Sequence, residues 1–174
     1  AAVLLLPLIG GSYQTLFLIG FGVGGDAAAA NASFFSILTS LGLTTNLKLC
    51  LDAGDSLSYS SGQSWLDRSG GGYDFFRGAD INASTDDPTF NGVAGGLSSA
   101  EYWGFDGGDF LRYDTTNEAW MTNIYKDNAL FTILTIHYPP TGAGSNFAGT
   151  ASGTGPGWEL QVQPTYYKFI SMST

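Results

Sequence analysis

Fifteen carboxylates, one histidine and one cysteine are the side chains with which this 174-residue chain can do acid–base, metal or thiol chemistry. A glycosidase needs two carboxyls on one concave face, about 5 to 9 Å apart, which on strands means positions of equal parity. Asp52 and Asp55 differ by three, as do Asp106 and Asp109, and each pair flanks a glycine-containing turn, so neither shares a strand face. Glu101, Glu118 and Glu159 are widely separated. Asp86, Asp87, Asp106 and Asp109 fall in turn sequences, where hard oxygen ligands on loops suit calcium; the same residues also serve simply to make turns. Cys50 has no activating base beside it and no second cysteine to pair with. His137 stands alone at the end of an apolar run. There is no phosphate-cradling loop, no zinc-ligand spacing and no serine in a nucleophile elbow. The residues therefore predict a protein that is not an enzyme and has no cofactor, with calcium as the one metal its loops would suit.

Aromatic side chains offer a different chemistry. Tyr73, Tyr102, Trp103 and Trp158 lie beside turns, where a ring either stacks on a sugar or closes the edge of a core. Aromatic residues make up 14% of the chain and charged residues only 12%, with 25 glycines, a composition of turn-rich β proteins rather than helical bundles. The net charge of −9 repels nucleic acid phosphates, which excludes DNA and RNA as partners. Twelve of the acids lie between Asp52 and Glu118, opposed there only by Arg68, Arg77 and Arg112, and read as a solvated loop rim. Asn31-Ala-Ser33 and Asn82-Ala-Ser84 fit the glycosylation acceptor, which matters only on a eukaryotic secretory route.

The elements that must position these groups are short strands and turns. Leu47, Leu49 and Leu51 alternate with Lys48 and Cys50, predicting a strand with three leucines on one face. Asp52 to Asp55, Ser69 to Gly72 and Asp106 to Asp109 read as turns, with Trp65 burying a ring near the polar corner at Asp67. Leu130 to Tyr138 is the longest β-branched and aromatic run and reads as a central strand, stopped by Pro139-Pro140. Thr141 to Gly157 reads as a long loop or a loop with a ragged strand, and Glu159 to Val162 and Tyr166 to Met172 as two closing strands. The alternation and frequent turns predict an all-β sandwich of two antiparallel sheets, with Leu49, Leu51, Trp65, Phe105, Phe131, Ile133 and Ile136 in its core.

The order L-x-L-x-L-D-A at Leu47 to Ala53, W-x-D-x-S-G-x-G at Trp65 to Gly72, P-T-F at Pro88 to Phe90 and F-D-G-x-D-x-L at Phe105 to Leu111 resembles laminin G-like, concanavalin A-like jelly-roll domains. Phe131-Thr132-Ile133 is similar to the family's next strand and Gly157 to Leu160 to a later one. Such domains are frequent in bacteriophage virion proteins and in secreted bacterial proteins. The resemblance implies a jelly roll over residues 46–174 and a non-enzymatic structural or adhesion role: a capsid decoration, fibre or tail-associated protein of a virion. The alternative is a carbohydrate-binding module of a secreted bacterial protein, and a glycanase comes third. The family runs on through further strands, so the sheet is expected to be reduced, completed by another chain or cut short at Thr174.

Residues 1–45 read as an apolar N-terminal arm. The first 25 carry no charge, and Pro7 with six glycines interrupts them, which disfavours a membrane-spanning helix; a signal peptide is disfavoured by the lack of basic residues. Leu4 to Ile9 and Leu16 to Phe21 hold too many large apolar groups to leave in water. The expectation is strands lent to a neighbouring subunit, in a homo-oligomer that the resemblance makes a trimer. Phe34, Ile37, Leu38 and Leu41 then follow helical spacing, with Asp26 or Asn31 as the cap and Gly42 as the stop; a strand from Phe34 to Leu38 is the competing reading.

Overall fold

A computed structural model describes residues 14–20, 32–113, 119–121, 124, 130–137, 145–149, 157–162 and 167–172. They are mostly strands with one short helix, an all-β chain built from small sheets. The chain divides into two units, one of residues 1–116 with 131–137, the other of 117–130 with 138–174. Ala1 to Leu6, Asp26, Asn31, Glu118, Tyr138 and Pro139-Pro140 lie outside the described residues.

In the first unit, β1 (Gln14–Gly20) lies between β2 (Leu47–Asp52) and β8 (Leu130–Thr135). β1 runs parallel to β2, with Phe17 opposite Leu49 and Ile19 opposite Leu51, so the sheets are not all antiparallel as expected. The strand of the apolar segment thus finds its backbone partners inside its own chain, and it takes the central place that Leu130 to Tyr138 was expected to hold. A central strand must pair on both edges, and β1 does so without desolvating an ion; Leu130 to Thr135 is equally free of charge, so the order is decided by which strands meet. The remaining strands of this unit are short: β3 (Ser64–Trp65), β4 (Phe75–Arg77), β5 (Thr89–Asn91), β6 (Tyr102–Gly104) and β7 (Leu111–Tyr113). They form an antiparallel sheet of order β3-β4-β7 and a separate ribbon, β5-β6.

The helix α1 spans Phe34–Ser40. Its cap is Ser33, whose Oγ accepts from the Ser36 amide at 3.3 Å, rather than Asp26 or Asn31. Gly42 ends it in the left-handed conformation at φ 68°, as the spacing predicts. Of the expected apolar face, Leu38 is buried and Phe34 half-buried, whereas Ile37 and Leu41 are exposed; Phe35 joins the core instead. The helix is seven residues long, too short to bury a full stripe.

Leu47, Leu49 and Leu51 are buried as their alternation predicts. Cys50 is enclosed as well, packed with Leu38 and Leu47 and flanked by Phe34, Phe35, Leu43 and Leu134. A second cluster is aromatic: Trp103 meets Tyr59 at 4.6 Å, Phe90 at 5.3 Å and Trp65 at 5.6 Å between ring centroids. Offset and edge-on contacts of this kind add about 0.5 to 1.5 kcal/mol each beyond the area they bury. Arg77 stands over Trp103 at 5.4 Å and is pinned there by the Pro88 and Gly62 carbonyls. Phe131, Ile133 and Ile136 are half-buried. Phe105 corrects the expected core: it is 47% exposed, because the β5-β6 pairing ends at Gly104 and the alternation that buries Trp103 no longer governs the next residue.

In the second unit, β9 (Ser145–Gly149), β10 (Gly157–Val162) and β11 (Tyr167–Met172) form an antiparallel sheet of order β11-β10-β9. These include the two closing strands read from the sequence and the ragged strand within the long loop. Met121 and Ile124 are buried, Met121 at the end of a 3-10 turn from Ala119. Among the described residues no helix is long and apolar enough to cross a membrane.

Candidate functional site

The carboxylates of the first unit hold loops in place. Asp52 accepts the Phe34 amide at 2.8 Å and the Gly54 amide at 2.9 Å, tying α1 to the end of β2. Asp55 accepts from Leu57 at 2.9 Å and pairs with Arg68 Nε at 3.1 Å, while the Arg68 guanidinium also covers the Phe35 ring. Asp67 is the hub. Its Oδ1 accepts the Cys50 amide at 2.9 Å and the Ser69 amide at 2.8 Å; its Oδ2 accepts the Ser69 hydroxyl at 2.6 Å and the Tyr73 amide at 3.2 Å. The Arg68 amide donates to the Cys50 carbonyl, and the Lys48 carbonyl, 3.1 Å from Ser69 Oγ, shares the one hydroxyl proton with Asp67. The loop after β3 thereby acts as a substitute strand along one edge of β2, satisfying backbone groups that burial would otherwise orphan.

Glu101 is buried, 2% exposed, and belongs to the same class. Its carboxylate accepts the Ser98 amide at 2.6 Å, the Ser98 hydroxyl at 2.8 Å and the Val93 amide at 3.2 Å. Burial pushes its pKa up, but the bonds from Ser98 and Val93 together outweigh it and hold the group below the ordinary carboxylate range. A general acid needs the opposite shift at neutral pH. The Cys50 thiol is pushed up to about 12, first by burial and then by Asp52, Asp67 and Asp55, so it is not a nucleophile. Burial lowers the pKa of His137, whose Nδ1 lies 3.4 Å from Thr135 Oγ1.

The predicted ligand residues separate into distinct places. Trp103 is 4% exposed inside the aromatic cluster, and Trp158 is buried on β10 in the other unit, so neither ring is presented to a ligand. Tyr73 is half-buried, edge-on to Tyr113 at 5.9 Å. Tyr102 alone of the four is exposed, at 41%.

Of the four aspartates, three share one cleft. Asp87, Asp106 and Asp109 line one open cleft of about 570 Å³, and the Asp86 carbonyl accepts the Phe110 amide at 3.2 Å beside it. Within this group Asp87 Oδ2 accepts from Gln63 and from the Ser84 amide, and Asp109 Oδ2 accepts the Asp106 amide. Among the described residues Asp86 Oδ1 and Asp87 Oδ1 are enclosed without a donor, both beside Gly78, where φ is 66° and an added Cβ would collide with Asp87 and press on Asp86. Two carboxylates supply only part of the six to eight oxygens that calcium takes. Among the described residues no three His, Cys, Asp or Glu side chains stand close enough to hold an ion. The cleft also takes in Thr89, Asn91, Gly104 and Phe105, which the sequence reading did not select as ligand residues. The available signal was the alternation of β5 and β6, which puts Thr89, Asn91 and Gly104 on the face opposite Phe90 and Trp103. No protein-family model, curated protein or solved structure matches the chain.

Proposed function

We propose that this chain is a non-enzymatic structural or adhesion protein, a bacteriophage virion component such as a capsid decoration, fibre or tail-associated protein, built on a concanavalin A-like jelly-roll sandwich. The observation that carries the non-enzymatic part is the use of its acids. Asp52, Asp55, Asp67 and Glu101 each accept main-chain amides, tying loops to one another, to the start of α1 and to β2, and Glu101 is held ionised by its bonds. Groups spent in this way make loops rigid, which serves a surface that must persist outside a cell, and are poorly suited to exchanging protons with a substrate. The virion part is supported by the ordered resemblance of Leu47 to Leu111 to virion jelly-roll domains. Self-association as a trimer belongs to the same reading.

The test is assembly. Purified full-length chain is expected to run as a trimer in light scattering and to be found by antibody labelling on phage particles. Turnover of any polysaccharide by the purified chain sinks the reading, and so does a monomer that labels no particle.

A further inference from the structure

Asn91 is the one asparagine of the chain that glycine follows, and the fold leaves the bond between them outside the sheet. Pairing of β5 with β6 ends at Asn91, opposite Tyr102, so the peptide joining Asn91 to Gly92 lies just beyond the ladder. Gly92 is exposed, with φ 91°, and a Cβ there would stand 2.5 Å from the Ala100 carbonyl oxygen. Glycine is needed at this corner both for its left-handed backbone and for that close approach. The Asn91 side chain lies over Gly104, and its Nδ2 donates to the Thr89 carbonyl at 3.2 Å. Among the described residues that is the side chain's one hydrogen bond.

An asparagine placed before glycine can react with its own backbone, because no side chain keeps the next amide nitrogen away from the carboxamide. The Gly92 nitrogen gives up its proton to solvent base and bonds to Asn91 Cγ. The Cγ–Nδ2 bond breaks, and ammonia leaves with a proton taken from water. Water then opens the five-membered imide. Attack at Cγ restores the ordinary chain with an aspartate at position 91; attack at the main-chain carbonyl routes the chain through Cβ and Cγ as isoaspartate. The balance is carboxamide plus water to carboxylate plus ammonium, with no change of oxidation state.

The surroundings decide what the conversion does. The Val93 amide donates to Glu101 Oε1 at 3.2 Å, the Ser98 amide to Glu101 Oε2 at 2.6 Å and the Gly96 amide to the Val93 carbonyl at 2.8 Å, so the loop over residues 92–101 is closed on the buried Glu101. Isoaspartate adds one main-chain carbon between the last ladder pair and this clamp, at a corner where Gly92 already touches the Ala100 main chain. The bond from Val93 is the one that must give way. Aspartate instead sets a carboxylate against the Thr89 carbonyl, acceptor facing acceptor, in a cleft already lined by Asp87, Asp106 and Asp109.

We propose that Asn91–Gly92 is a self-modification site: the folded protein converts Asn91 to aspartate and isoaspartate, and the isoaspartyl form irreversibly releases the 92–101 loop from Glu101. One surface hydrogen bond opposes ring closure, which slows the folded chain by up to roughly tenfold relative to the unfolded one.

The full chain, incubated at mildly alkaline pH, is sampled over time by peptide mapping in a mass spectrometer, with an isoaspartyl methyltransferase reporting the rearranged product. Asn91 should convert ahead of Asn46 and Asn82, which are exposed but precede leucine and alanine. Its rate should lie within roughly tenfold of that in urea. In the isoaspartyl form, separated by ion exchange, the Val93 and Ser98 amides should lose hydrogen-exchange protection while the Cys50 amide keeps its own. Asn91→Gln, whose longer side chain needs a six-membered ring, should stay unmodified with both amides protected. Conversion of Asn91 no faster than that of Asn46, or confined to the urea-unfolded chain, overturns the site. An isoaspartyl form in which Val93 and Ser98 are still protected overturns the release of the loop.

Discussion

Replacing Asp67 with alanine should be among the most damaging single substitutions outside the apolar core. The carboxylate receives four hydrogen bonds, three from main-chain amides and one from the Ser69 hydroxyl. The Cys50 amide is the critical one, because Cys50 is 0% exposed and no water can replace the lost oxygen. An enclosed donor left without a partner costs about 1 to 3 kcal/mol. The Ser69 and Tyr73 residues are only half-buried, so water recovers part of their bonds and each net loss is about 0.5 to 1.5 kcal/mol. The sum is roughly 2.5 to 7.5 kcal/mol, a large share of the 5 to 15 kcal/mol typical of a folded domain. With a urea dependence of about 1 to 3 kcal/mol per molar, the unfolding midpoint should fall by ~0.8 M or more at unchanged slope. Asp67→Asn keeps one acceptor oxygen for the Cys50 amide and should cost about half as much. Amide exchange gives the local readout: Cys50 N–H should lose protection in Asp67→Ala and keep most of it in Asp67→Asn. A midpoint within ~0.3 M of the parent, with Cys50 still protected in Asp67→Ala, would refute the idea that this loop completes the edge of β2.

Other outcomes follow from the same geometry. Cys50 should resist iodoacetamide at neutral pH in the folded protein and react once urea unfolds it; prompt labelling of native protein contradicts its enclosure. Glu101 has a folded pKa below its unfolded value, so its contribution is complete above the ordinary carboxylate range and is lost as pH falls through the folded value. Glu101→Gln should therefore cost about 1 to 3 kcal/mol near neutral pH and little in acid, read from melting curves across pH. His137 is also depressed, but as a base: from its ordinary value near 6.5 downwards the unfolded chain binds the extra proton, so stability falls until the folded value is passed. His137→Gln should flatten that limb and leave the Glu101 limb in place. Gly78→Ala should destabilise by roughly 1 to 3 kcal/mol through its left-handed backbone and the Asp87 contact, and an unchanged melting temperature counts against the packing at Asp86 and Asp87.

Features that depend only on neighbours along the chain were legible before the fold was known. Alternation was enough to place Leu47, Leu49 and Leu51 in a buried strand, because parity needs no knowledge of the partner. The left-handed stop at Gly42 was legible because it is a local property, while the choice between a helix and a strand over Phe34 to Leu38 was left open by the spacing. The aspartates and glycines were legible as turns for the same reason. Which partners those turns and strands meet is settled by long-range contacts. Asp67 reaches a strand 17 residues earlier, and no local pattern specifies that the Cys50 amide lacks a strand partner there. The central place of β1 depends on two strands more than 25 and 100 residues away. Trp103 and Phe105 are alike in hydrophobicity and separated by one residue, yet one is enclosed and the other lines a cleft, because strand pairing stops between them at Gly104. Burial is a property of the pairing, and the pairing is long-range.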